Sequence, residues 1–221
     1  MVISTTSSIT VSLAIKELIG HFELCNDAEG KSSNTVRWYS EILTAYCKYL
    51  KLHQKPLDIT SLNVDDVRGY ILYLRHRKRF EGHPYTPIQD SALASQTIRG
   101  HIRTLKVFSA WLFREKYIKD NVLKDLRLPK ATIKTIIPLT SDEIGNIIKC
   151  IDRNSPAGFR NYCIFLTSLD NGIRASELVG ISIRHINFKS PGYIKVIGKG
   201  NKERVIPIGE SVKAALLHYI D

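Results

Sequence analysis

Two short stretches carry side chains able to act on a phosphate group. The first is Asn171-Gly172-Ile173-Arg174-Ala175-Ser176-Glu177-Leu178. An arginine just past a glycine turn, at a helix start, faces outward on a fixed backbone. Its guanidinium is always charged and binds phosphate through two parallel hydrogen bonds. Glu177 follows at i+3 on the same helical face, where it can orient Arg174. That spacing is equally that of an ordinary surface ion pair. The second stretch is Gly198-Lys199-Gly200-Asn201-Lys202. Glycines on both sides of Lys199 let the backbone come close to a polyanion. A lysine at a hairpin tip can hold phosphate as a point charge, or give a proton to a leaving oxygen if its pKa is lowered. A solvated lysine-rich turn is the plain alternative.

Basic residues recur in the first half. Arg75, Arg77, Lys78 and Arg79 surround His76 at a helix end. Arg99, Arg103 and Lys106 fall at i, i+4 and i+7 of one periodic segment. Such a ridge suits phosphates or a major groove, and a solvated helix face explains it otherwise. In total, 32 Lys and Arg stand against 21 Asp and Glu, a net charge of +11 over 221 residues. Residues 1–130 hold 20 basic and 13 acidic groups, so the excess is not confined to a tail. A balance of this sign fits a polyanionic partner. Hydrophobic residues at 43% and charged ones at 24% are those of a folded chain. No apolar run approaches the ~18 residues of a membrane span. No basic segment followed by an apolar block opens the chain, so a secretory signal is not expected. Cys25, Cys47, Cys150 and Cys163 are far apart and form no Cys-x-x-Cys pair. A zinc site or disulfide framework has no support, and a cytoplasmic location and no metal are expected.

The elements that must position these groups follow from periodicity. Val11, Ala14, Leu18 and Phe22 predict a helix over Thr10–Phe22. Ser32 to Thr35 offer caps before a long helix striped by Val36, Tyr39, Leu43, Tyr46 and Leu50. Ser61 or Asn63 caps a third, with Val67, Tyr70, Ile71 and Leu74 on one face. Gly82 to Ser91 reads as a loop, and Ser95 is expected to cap a fourth helix carrying Ile98, Ile102, Leu105, Phe108 and Leu112. The result is a small bundle of about four helices with no strand signal. The fourth helix opens like the second: Ser95-Gln96-Thr97-Ile98-Arg99 beside Ser33-Asn34-Thr35-Val36-Arg37. Trp38, Trp111 and the tyrosines fall on or beside the stripes and are expected in the core. A basic linker follows, and Thr140 with Glu143 forms a capping box before Ile144, Ile147, Ile148 and Ile151. Helices near Gly158–Asp170 and Arg174–Val179, strands at Tyr193–Ile197 and Arg204–Ile208, and a helix over Glu210–Ile220 complete a mixed α and β second part. Tyr219 lies on the last helix's apolar stripe and is expected to be packed.

Taken together, Gly172-Ile173-Arg174-Ala175-Ser176-Glu177-Leu178 and Val196 to Ile208 (VIGKGNKERVIPI) resemble the tyrosine recombinase, or phage integrase, family, its Xer-type members in particular. Thr97 to Trp111, Tyr117 to Asn121 and Leu126 to Lys130 are similar to that family's core-binding domain, with Asn121-Val122 where Asn-Pro is usual. The resemblance implies a mainly α fold. A SAM-like four-helix domain over 1–130 is joined by a linker, 131–139, to the N-terminal part of an α+β catalytic domain, 140–221. It implies two halves that clamp duplex DNA, tetramers on two sites, and phosphoryl transfer without metal or other cofactor through a 3′-phosphotyrosine. Arg174 would be the first phosphate-clamping arginine and Lys199 the lysine assisting the 5′-oxygen. Glu177 would be supporting, with Lys202 and the basic residues of the first half on DNA. After the hairpin the family needs a His-x-x-Arg box and a tyrosine nucleophile. Residues 205–221 hold His218 and Tyr219 but no such box, and His76-Arg77-Lys78-Arg79 precedes Arg174. The expectation is a chain cut before its last catalytic motifs, which binds duplex DNA and does not cleave it. A standalone DNA-binding protein occupying recombination sites accounts for the sequence equally. A basic structural or RNA-binding protein leaves Arg174 and Lys199 unexplained.

Overall fold

The structure is a computed structural model that describes residues 14–132, 135–198 and 200–221. Lys199, Val11 and the start of the first expected helix lie outside the described residues. The chain divides into two compact units between residues 134 and 135.

The first unit is four helices: α1 (Ile15–Ala28), α2 (Ser33–Leu52), α3 (Val64–His76) and α4 (Ser95–Arg114). α1 runs past the expected end at Phe22 to Ala28, with Asn26 buried and its amide donating to the Phe22 carbonyl. Ser32 caps α2 by accepting from the Thr35 N–H (3.3 Å), and Asn63 caps α3 from the Asp66 N–H (2.9 Å). Ser95 does not cap α4. It is the helix's first residue, Ala94 stands at the cap, and the Ser95 hydroxyl accepts from the Thr132 N–H (2.9 Å). The expected stripes do meet. Phe22, Tyr46, Leu50, Tyr70, Leu74, Ile102, Phe108, Trp111 and Leu112 share one core, with Phe22 set edge-on to Phe108 (5.3 Å between ring centres).

Three further expectations about this unit fail. The segment after α3 is not only loop: β1 (Lys78–Arg79) pairs antiparallel with β2 (Gln89–Ala92). All six residues are exposed, so no inward face imposes an alternation to read. Trp38 is 41% exposed, and Tyr85 stands in solvent. Trp38 rests its ring on Gly100 of α4, where a Cβ would lie 3.2 Å from it. That contact sets the alike starts of α2 and α4 side by side.

The second unit contains α5 (Ser141–Lys149), α6 (Pro156–Asn171), α7 (Ala175–Val179), β3 (Ile186–Asn187), β4 (Tyr193–Gly198), β5 (Lys202–Pro207) and α8 (Glu210–Ile220). The sheet is antiparallel in the order β3-β4-β5. Thr140 and Glu143 make the capping box of α5, yet α5 buries no side chain, so its isoleucine stripe is only partly covered. Ser155 caps α6 with Pro156 at its first position, and Gly172 ends it with φ +56°. Alternation along the sheet is regular: Ile194, Val196 and Ile206 point inward, onto Ile173, Ile208 and Val212. The thiol of Cys163 on α6 donates to the Ala215 carbonyl of α8 (3.4 Å), and Asp170 accepts from the Gly209 N–H (3.0 Å) at the start of α8. Tyr219 is 46% exposed and not packed. Tyr219 shares the face of Val212 and Ala215 but sits in the last turn of α8, beyond the core that covers them.

Candidate functional site

The geometry around Arg174 begins with the end of α6. Gly172 reverses the chain in the left-handed region, Ile173 buries itself in the core, and Arg174 then stands at the cap position of α7. Glu177, at the third position of α7, accepts from the Arg174 backbone N–H through Oε2 (3.0 Å). Its Oε1 accepts from Arg174 Nη1 (2.9 Å). A second arginine completes the group: Arg204 Nη2 donates to Glu177 Oε2 (2.7 Å). The Glu177 side chain has no exposed surface, whereas Arg174 and Arg204 are 65% and 44% exposed. This is a buried carboxylate between two guanidiniums that reach solvent, not a surface ion pair. The hydrogen bond from Arg204 leads, followed by that from the Arg174 N–H. Together they outweigh burial and hold the Glu177 carboxyl down, to about 2.

Arg204 was not among the residues the sequence singled out, yet its signal is there. In β5, Arg204 is in phase with Ile206 and Ile208, so alternation puts a guanidinium on the inward face. It pairs across the ladder with Val196, itself buried. An inward charge demands a partner, and Glu177 is that partner. Gly198 is in the same phase on β4 and touches the same group: a Cβ there would lie 2.9 Å from Glu177 Oε1. β4 ends at Gly198 and β5 begins at Lys202, and before it Gly200 has φ +76° and Asn201 φ +57°. Lys202 is exposed at the base of β5.

The basic residues of the first unit divide by what they touch. Lys106 Nζ donates to the Lys124 and Leu126 carbonyls (2.8 and 2.6 Å), and Arg99 donates to the Pro129 carbonyl (3.3 Å). Both fasten the segment after α4. Arg103, between them, is exposed. Lys78 pairs with Asp90 (2.6 Å), Arg77 donates to the Glu81 carbonyl (2.6 Å), and Arg79 lies 4.9 Å over the Phe80 ring. Arg75 is exposed and lines a surface groove with Arg68 and Arg127.

Residues 138–221 match the Phage integrase family profile, and residues 23–116 match that of the phage integrase N-terminal SAM-like domain. The chain belongs to the phage integrase, or tyrosine recombinase, family. It is 27% identical to Tyrosine recombinase XerD of Oceanobacillus iheyensis over 199 residues, covering 90% of this chain and 62% of that protein. To Tyrosine recombinase XerD of Haemophilus influenzae it is 30% identical over 182 residues, which is 82% of this chain and 56% of the relative. The chain thus spans less than two thirds of the length of these relatives. Among solved structures, a lambda integrase dimer bound to a COC′ core site superposes with a TM-score of 0.66 at 16% identity, over 95% of this chain and 55% of that one. The Tn1549 transposon Integrase in complex with a circular intermediate DNA gives 0.61 at 16% identity, over 95% and 65%. These likenesses establish the expected fold: a helical SAM-like unit followed by an integrase-type unit with small antiparallel sheets. Among the described residues, no helix is long and apolar enough to cross a membrane.

Proposed function

We propose that this chain binds duplex DNA as part of a site-specific tyrosine recombinase, with Arg174 on a backbone phosphate at the position of strand exchange. The observation that carries the reading is the Arg174–Glu177–Arg204 group, in which a buried carboxylate holds an exposed guanidinium on a fixed turn. Such a guanidinium is preorganised for charge that develops on phosphoryl oxygens. Lys199, in the hairpin that leads to Arg204, is read as the proton donor to the leaving 5′-oxygen, with Glu177 in support. In the longer recombinase this would give strand exchange through a 3′-phosphotyrosine. The division into 1–130, a linker at 131–139 and 140–221 belongs to the same reading. So do a cytoplasmic location and assembly of several copies on DNA, up to a tetramer. Of the basic residues, exposed Arg75, Arg103 and Lys202 are best placed for phosphates. Arg79 and Arg77 can join them through guanidinium nitrogens not engaged at Phe80 and Glu81. Lys78, Arg99 and Lys106 would act mainly by shaping the surface.

Selection of duplexes from a random-sequence library with this chain, followed by methylphosphonate substitution along the recovered site, tests this. One phosphate position is expected to lose affinity on neutralisation in the wild type but not in Arg174→Ala. Failure to recover any preferred duplex, or a substitution profile unchanged by Arg174→Ala, would reject the reading.

A further inference from the structure

We propose that Arg204 is a charge-compensating positioning residue: it takes the second oxygen of Glu177, so that Arg174 is oriented by that carboxylate without being neutralised by it. This rests on the reading of Arg174 as a phosphate contact. A guanidinium held by one buried carboxylate is fixed in place, but its field toward an incoming phosphate is cancelled. Two guanidiniums on one carboxylate keep the geometry and leave one net positive charge. The arrangement has that form. Oε1 of Glu177 receives Arg174 Nη1 from three residues before it, and Oε2 receives Arg204 Nη2 from 27 residues after it. Both remaining guanidinium edges reach solvent, while the carboxylate does not.

Among the described residues, the acid that Arg204 meets is Glu177. The strand places Arg204 inward, in phase with Ile206, where an apolar side chain would extend the small core. An arginine there is explained by the carboxylate it meets. Gly198 fits the same account, because a side chain on it would enter the space of Oε1. The tie therefore joins α7, which follows Arg174, to β5, with Gly198 of β4 close against the same carboxylate.

The test measures affinity for a duplex recovered in the selection above, by fluorescence anisotropy across a salt series. Arg204→Ala is expected to weaken binding about tenfold, the effect of losing one hydrogen-bonded charge. The dependence of log K on log salt should fall by about one unit. Adding Glu177→Gln to Arg204→Ala returns the group to one net positive charge, and affinity should recover to within about twofold of wild type. Adding Glu210→Gln instead, an exposed acid on α8, removes the same bulk charge elsewhere and should not restore it. Arg204→Lys, which keeps the charge, should stay within about threefold of wild type. Wild-type affinity in Arg204→Ala, no recovery with Glu177→Gln, or equal recovery with Glu210→Gln would each overturn the proposal. Should Arg204→Ala fail to fold, Arg204→Met fills the inward position at similar length and takes its place. If wild type binds no duplex, or Arg174→Ala binds as wild type, it is the DNA reading that fails. The tie is then decided without DNA, by carbon-13 titration of the Glu177 carboxyl. Its pKa should rise in Arg204→Ala, and an unchanged value would dismiss the tie.

Discussion

Twenty described residues of the first unit are buried in one apolar core, against six in the second. The first packs four helices around aromatic rings, with Phe108 and Trp111 stacked at 5.8 Å and Tyr46 set edge-on to Tyr70 at 5.1 Å. The second covers the inner face of a three-stranded sheet and one side of α8, leaving Leu217, Tyr219 and Ile220 well exposed. Beside that sheet apolar burial gives way to charge, with Glu177 gripping two arginines. The difference separates two tasks. Apolar burial is undirected and strong, and it supplies a stable scaffold. Hydrogen-bonded charge is directional, and it supplies the orientation a phosphate contact needs.

The largest effects are expected from substitutions that cut into each core. Phe108→Ala should cost about 3–5 kcal/mol and Ile206→Ala about 2 kcal/mol, measured by urea melting. Both tryptophans, Trp38 and Trp111, lie in the first unit, so their fluorescence reports that unit alone. Far-UV circular dichroism of the wild type should therefore begin its transition at lower urea than tryptophan fluorescence. Coincident curves would mean that the two units unfold as one. Next in size is Glu177→Ala, which leaves two guanidiniums facing each other without a counter-charge. It should speed amide exchange throughout β4 and β5, more than Glu177→Gln does. Gly198→Ala is expected to cost about 1–2 kcal/mol, since its Cβ would press on Glu177. A loss confined to the second unit supports the account.

A change of pH also separates the units. Burial pulls the His101 imidazole, bonded to the Tyr70 hydroxyl at 2.9 Å, down from 6.5 to about 4. The unfolded chain then binds the extra proton first, so the stability His101 contributes is present above 6.5 and lost as pH falls toward 4. Glu177 is depressed from 4.5 to about 2, so its contribution is intact above 4.5 and lost only below. Between pH 6.5 and 4.5 the first unit should weaken while the Glu177 tie holds. Fluorescence melts and β4–β5 amide exchange, followed together, check this.

The fold was largely legible because its helices carry stripes and caps that act locally. Val36 to Leu50 and Ile98 to Leu112 declare a helical period, and Thr140 with Glu143 declares a helix start. The hairpin at 78–92 was not legible, because all its strand residues face water and carry no alternation. Ser95 misled because a serine at a helix start is more often a cap, and here its hydroxyl is used by Thr132. Trp38 misled because its stripe reaches only the edge of the core, where Gly100 leaves room for a half-exposed ring. At the site, Arg174 and Glu177 declare their pairing at i+3. The burial of Glu177 and its second partner do not follow from that spacing. They depend on which face of β5 turns inward, a fact written only in the phase of Arg204 with Ile206. Lys106 and Arg99 lay on a ridge that spacing alone could not distinguish from a phosphate-binding one. The carbonyls they hold belong to a segment some twenty to thirty residues away.

The proposed contact between Arg174, held by a shared carboxylate, and a phosphate of duplex DNA can be measured directly. The most direct measurement is the salt dependence of duplex binding by the wild type and by Arg174→Ala, with single-stranded RNA of equal length at matched salt. The account predicts tighter binding to the duplex, a linear fall of log K with log salt, and a slope about one unit shallower in Arg174→Ala. Equal affinity for the RNA, or identical slopes for the two proteins, would contradict it.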